Sequence, residues 1–108
     1  MTLEDLERAS ARLKGLPHQD EYLRLNADDH SPKATIVRQL HQIAGEHVDA
    51  ARARRYRPME NAALPDPIPE ELRSEAEHLP HHHEQEAVAR YMAAIDDVHD
   101  VLETLCTG

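Results

Sequence analysis

A chain of 108 residues has the length of one domain. Its net charge of −9, from 21 acidic against 12 basic side chains, repels phosphate backbones and argues against general nucleic-acid binding. Leu, Ile and Val total 21, Phe and Trp are absent and only Tyr22, Tyr56 and Tyr91 are aromatic, so the large apolar residues lie near the roughly 20% level at which disorder competes with folding. The apolar positions are nevertheless strongly periodic, and 15 Ala allow helices to pack closely. A core this thin gains from a second copy, so a homo-oligomer is expected.

Along the chain, Thr2 followed by Asp5 has the form of a capping box with Asp in place of Glu. Leu3, Leu6 and Leu13 mark one face of a helix reaching about Lys14, stopped by Gly15 and Pro17. A short helix around Tyr22, Leu23 and Leu25 fits residues 18–26, and 26–30 reads as a turn. Ser31-Pro32 supplies a capping hydroxyl and a proline at the first helical position. The helix that follows runs to about Tyr56. At roughly 100° per residue, Ile36, Leu40, Ile43, Ala44, His47, Val48 and Ala51 share a face. Gly45, on its flank, suggests a close helix approach.

Residues 57–69 carry four prolines and form an extended connector, with Met59, Leu64 and Ile68 pinning it to the bundle. Glu70 and Glu71 suit the positive end of a helix over 70–79, with Leu72, Ala76 and Leu79 inward. Pro80 breaks it. The last helix spans about 81–105, with Val88, Tyr91, Met92, Ile95, Val98, His99, Leu102 and Cys106 on one stripe. No alternating pattern is long enough for a strand. The fold class is all-α, a compact bundle of four to five helices in one domain, with long helices at about 31–56 and 81–105.

Nine His are the chain's most unusual feature, three of them consecutive at His81–His83. Their protonation would bring the charge from −9 to about zero as pH falls through about 6.5. His47 and His99 interrupt otherwise apolar faces of the two long helices. If those helices pack antiparallel, the two imidazoles can meet inside the bundle. Asp96, one turn before His99, adds a carboxylate on the same side, a spacing used in bundle metal sites. These three residues form a candidate site for a transition metal such as Zn, Fe or Ni. His81 and Glu84 form a second candidate set, since they continue the final apolar stripe. Three successive His fan out around a helix, so His81, His82 and His83 cannot all reach one ion. Glu75 and His78 share the Asp96–His99 spacing but lie off their helix's apolar face. The competing account of each His is a half-buried ring bonded to backbone or a nearby carboxylate.

Arg52, Arg54, Arg55 and Arg57 fit a phosphate or an acidic partner surface, or simply place positive charge at a helix C-terminus where Glu70 and Glu71 can pair with it. The Arg73-x4-His78 spacing resembles a pair found in helical ribonucleases of the HEPN class. With ten Arg and nine His such spacings arise by chance, as Arg12/His18 and Arg24/His30 show for the related x5 form. Ser10, Ser31 and Ser74 lack the setting of a hydrolase nucleophile. Gly15, Gly45 and Gly108 build no phosphate loop. The single Cys106 forms no internal disulfide. With no long apolar run and an acidic start, the expected location is the cytoplasm, away from membranes. The leading functional expectation is a small interaction or regulatory module, a homo-oligomer that can also engage another protein, and not an enzyme. A metal-binding bundle is the alternative, and a HEPN-like ribonuclease the third reading.

Overall fold

The computed structural model describes residues 2–16, 31–56 and 64–107, without the side chains of Cys106 and Thr107. Within them the chain is all-helical, with four helices: α1 (Leu3–Lys14), α2 (Pro32–Tyr56), α3 (Glu70–Glu77) and α4 (His82–Thr107). The expected short helix at 18–26 and the turn after it lie outside the described residues, as does Met59.

Local chemistry accounts for each helix start. The Thr2 hydroxyl accepts from the Asp5 amide at 3.3 Å, and the Asp5 carboxylate accepts from the Thr2 amide at 2.9 Å, completing the capping box. That Thr2 amide holds the Asp5 carboxyl below its ordinary pKa. Ser31 Oγ accepts from the Ala34 amide at 3.3 Å, with Pro32 as the first helical residue. The Pro69 carbonyl opens α3 and the His81 carbonyl opens α4 by accepting amides of the first turn. α3 ends at Glu77 instead of reaching Leu79, because Pro80 disfavours helical backbone in the residue before it. Leu79 is still buried, with its carbonyl held by Gln85 Nε2 at 2.6 Å.

One apolar cluster joins all four helices. Leu6 and Leu13 come from α1, Ile36, Leu40 and Ala44 from α2, Leu72 and Ala76 from α3, and Val88, Ile95, Val98 and Leu102 from α4. Ala94 and Val101, outside the expected stripe of α4, are buried too, since α1 and α3 flank that helix as well as α2. In the connector, Ile68 is buried whereas Leu64 is exposed, so a single side chain of that described stretch anchors it. Gly45 is exposed, and a Cβ built on it meets no atom within 4 Å. It permits no close approach, contrary to the sequence expectation, because it faces solvent.

The two long helices run in the same sense, not antiparallel. His47 meets His99, and Arg54 reaches the Leu105 carbonyl at 2.9 Å. Seven residues along α2 thus match six along α4, about 10.5 Å and 9 Å of axial travel. The short α3 is antiparallel to α4, with Arg73 opposite Asp96 and Leu79 opposite Gln85. It returns the chain so that α4 can start beside the beginning of α2. Adjacent carboxylates on α4 tie it to both small helices: Asp96 to Arg73 of α3 at 2.7 Å, and Asp97 to Arg12 of α1 at 2.9 Å. Successive residues point about 100° apart on a helix, so the pair can reach opposite neighbours.

Candidate functional site

The two histidines that interrupt the apolar faces meet in the core. His47 is fully buried, whereas the His99 side chain keeps 13% of its surface. The rings lie 5.2 Å apart, tilted by 52°, and His47 Nε2 is 2.9 Å from His99 Nδ1. His47 Nδ1 is 2.8 Å from the Ile43 carbonyl, one turn earlier on the same helix.

These partners fix the protons. A carbonyl can only accept, so His47 Nδ1 carries a hydrogen. In the neutral ring Nε2 is then a lone pair, and His99 must donate to it from Nδ1. His99 is therefore the Nδ1–H tautomer, with a lone pair on Nε2 directed toward Glu103 Oε2 at 3.8 Å. Both nitrogens of the buried ring are satisfied, which removes the cost of burying them unpaired. One further proton fits on His99 Nε2 without breaking either bond. A second would set two N–H groups head to head across 2.9 Å.

Burial in the apolar core pushes the His47 pKa below its ordinary value. Positive charge on His99 acts the same way, while the Ile43 carbonyl and the carboxylates of Glu46 and Asp96 oppose it. Desolvation is the largest of these effects and prevails. The result is a chain of contacts leading from the core to the surface: Ile43 carbonyl, His47, His99, Glu103.

The other candidate residues are placed as follows. Asp96 is half-buried and gives its Oδ1 to Arg73, so the structure joins His47 to His99 but engages Asp96 elsewhere. His81 is exposed and stacks on His83 at 5.6 Å. The expectation that His81 faces the interior fails because His81 precedes the first helical residue, His82, and the helical stripe does not extend to it. Glu84 lies in the first turn of α4, partly exposed. His82 pairs with Glu86 at 2.9 Å on the solvated side of that turn. Among the described residues no group of three His, Cys, Asp or Glu side chains is arranged to hold a metal ion. Glu103, four residues beyond His99, lies outside the sequence-derived candidates, although its i,i+4 spacing is visible in the sequence.

For the ribonuclease reading, Arg73 is committed to Asp96 and His78 Nδ1 to the Ser74 carbonyl at 2.7 Å. His18 and His30 lie outside the described residues. Among the described residues of the Arg cluster, Arg55 pairs with Glu7 at 2.9 Å and Arg54 satisfies the C-terminal end of α4, in place of the expected pairing with Glu70 and Glu71. Arg57 lies outside the described residues.

A second feature is an open cleft of about 700 Å³ between α1 and α2. Leu6, Ser10, Val48 and Ala51 are among its lining residues, and so are the cationic Lys14, Arg52 and Arg55 and the acidic Glu7 that pairs with Arg55. Leu3 and Tyr56, two of the largest exposed apolar side chains described, also line it. No described helix is long and apolar enough to cross a membrane. Comparison with protein-family models, with curated proteins and with solved structures gives no match.

Proposed function

We propose that this chain is a small interaction or regulatory module that works as a homo-oligomer, with the α1–α2 cleft as its contact surface. The observation that carries the reading is the cleft itself, where exposed Leu3 and Tyr56 sit beside Lys14 and Arg52, with Arg55 held by Glu7 at its edge. Apolar side chains beside a cationic edge suit a protein surface of opposite charge. A second copy offers such a surface, since acidic residues outnumber basic ones 21 to 12 and α4 exposes Asp100 and Glu103. Association through the cleft would add the apolar burial that a core poor in large residues needs. Light scattering at tens of micromolar tests this. A dimer or larger mass is expected, and a clean monomer mass would refute it.

A second reading is favoured by a specific observation. The 2.9 Å approach of His47 and His99 brings imidazoles from two helices together, which is how bundles assemble metal sites. In this reading the pair, with Asp96 or a group from solvent or a second copy, holds a divalent transition metal. Elemental analysis of untagged protein, never exposed to a metal column, tests it. About one metal per chain or per two chains is expected, with a lower melting temperature in chelator.

A further inference from the structure

We propose that the ligand-bearing edge of the histidine pair is the outward one: His99 Nε2 and Glu103 form a surface site for a divalent transition metal such as Zn(II), and His47 is the buried residue that orients His99. The site deepens the metal-binding reading and rests on it, but it changes which atoms bind. His47 Nδ1 is bonded to the Ile43 carbonyl and its Nε2 takes the His99 proton, so His47 has no lone pair left to give. The same network leaves His99 with its lone pair on Nε2, facing the carboxylate of Glu103. A metal-bound imidazole that donates its other N–H to a fixed acceptor is the common outer-shell arrangement. Here a buried imidazole supplies that acceptor from the neighbouring helix.

The distances suit the assignment. Ligands at about 2.1 Å from one ion stand roughly 3.0–3.4 Å apart in octahedral or tetrahedral geometry. His99 Nε2 and Glu103 Oε2 are 3.8 Å apart, so holding one ion requires the Glu103 carboxylate, on a side chain 58% exposed, to shift by less than about 1 Å. The ring itself does not move, which is what His47 contributes. Two protein ligands leave the remaining positions to water or to groups of a second copy. His82 and Glu86 show the same spacing at 2.9 Å, but the His82 side chain is 83% exposed. That pair and the adjacent His81 and His83 would take up metal adventitiously, so they must be removed for the test.

The experiment uses the full chain carrying His81→Gln, His82→Gln and His83→Gln, untagged, with ¹⁵N-labelled histidine. Before metal is added, two-bond nitrogen–proton correlation spectra should show neutral His99 protonated on Nδ1. Zn(II) should then perturb His99 Nε2 saturably and leave the His47 tautomer unchanged. Glu103→Gln should weaken Zn(II) binding at least about tenfold. His47→Leu removes the acceptor and should weaken it by about 10–100-fold, the usual effect of losing an outer-shell partner. His47→Gln, whose amide oxygen can accept from His99, should restore most of the affinity. The proposal is overturned if neutral His99 carries its proton on Nε2, or if Glu103→Gln binds as the parent does. If Zn(II) moves His47 Nε2 together with His99 Nδ1 while Glu103→Gln has no effect, the internal two-imidazole site stands and this one falls. If no Zn(II) binds, both fall.

Discussion

Replacing His47 by Gln should remove a defined part of the pH dependence of stability. His47 is fully buried with both ring nitrogens bonded, and burial holds its pKa below the ordinary value. The unfolded chain therefore takes up a proton near pH 6.5 that the folded core refuses. Stability contributed by the neutral ring is present above that pH and falls as pH drops through it. The slope approaches about 1.4 kcal/mol per pH unit for one proton, and the loss reaches at most about 2 kcal/mol at pH 5 if the folded ring stays neutral. Two facing imidazoles sharply limit any compensation, because both cannot be protonated across 2.9 Å. His47→Gln keeps an acceptor for His99 but does not titrate. Urea denaturation midpoints of both proteins from pH 5 to 8, in chelator, supply the comparison. The native chain should lose stability toward pH 5 more steeply than the variant, by up to one proton's worth. Parallel profiles, or a native chain that gains stability relative to the variant at low pH, would refute the reasoning.

Three further outcomes follow from the packing. Ile95→Ala, at a residue with no exposed surface between the helices, should cost about 2–5 kcal/mol, measured by the shift in urea midpoint. Gly45→Ala should raise stability by about 1 kcal/mol in the same assay, since the added methyl meets open space on a helix interior. Thr2→Ala should cost about 1 kcal/mol through loss of the capping hydroxyl, with α1 amides exchanging faster in hydrogen-exchange measurements.

Much of this fold is legible in the sequence because helix periodicity and capping are local. Thr2 and Asp5, Ser31-Pro32 and Pro80 mark boundaries through bonds within one turn of themselves. The meeting of His47 and His99 is legible too, since each is a polar residue on an apolar face and the core is the only place both faces share. The relative sense of the long helices is not, because it depends on how the chain returns through α3 rather than on either long helix. The Arg73 contact of Asp96 is not legible for a similar reason: Arg73 is 23 positions away on a helix whose direction the sequence leaves open. His81 continues the heptad-like spacing but lies just outside the helix, so its side chain obeys no stripe. Glu103 gives a visible spacing signal, yet that signal means little until the tautomer of His99 is known.

The most direct test of the interaction reading is the mass of the native chain beside that of a Leu3→Glu, Tyr56→Glu double variant, by sedimentation equilibrium at tens of micromolar. Both side chains line the α1–α2 cleft and are exposed, so the variant should keep the helical circular dichroism of the native chain. The prediction is a dimer or larger assembly for the native chain and a monomer for the variant. A native chain that is already monomeric, or a helical variant that retains the native mass, would contradict it.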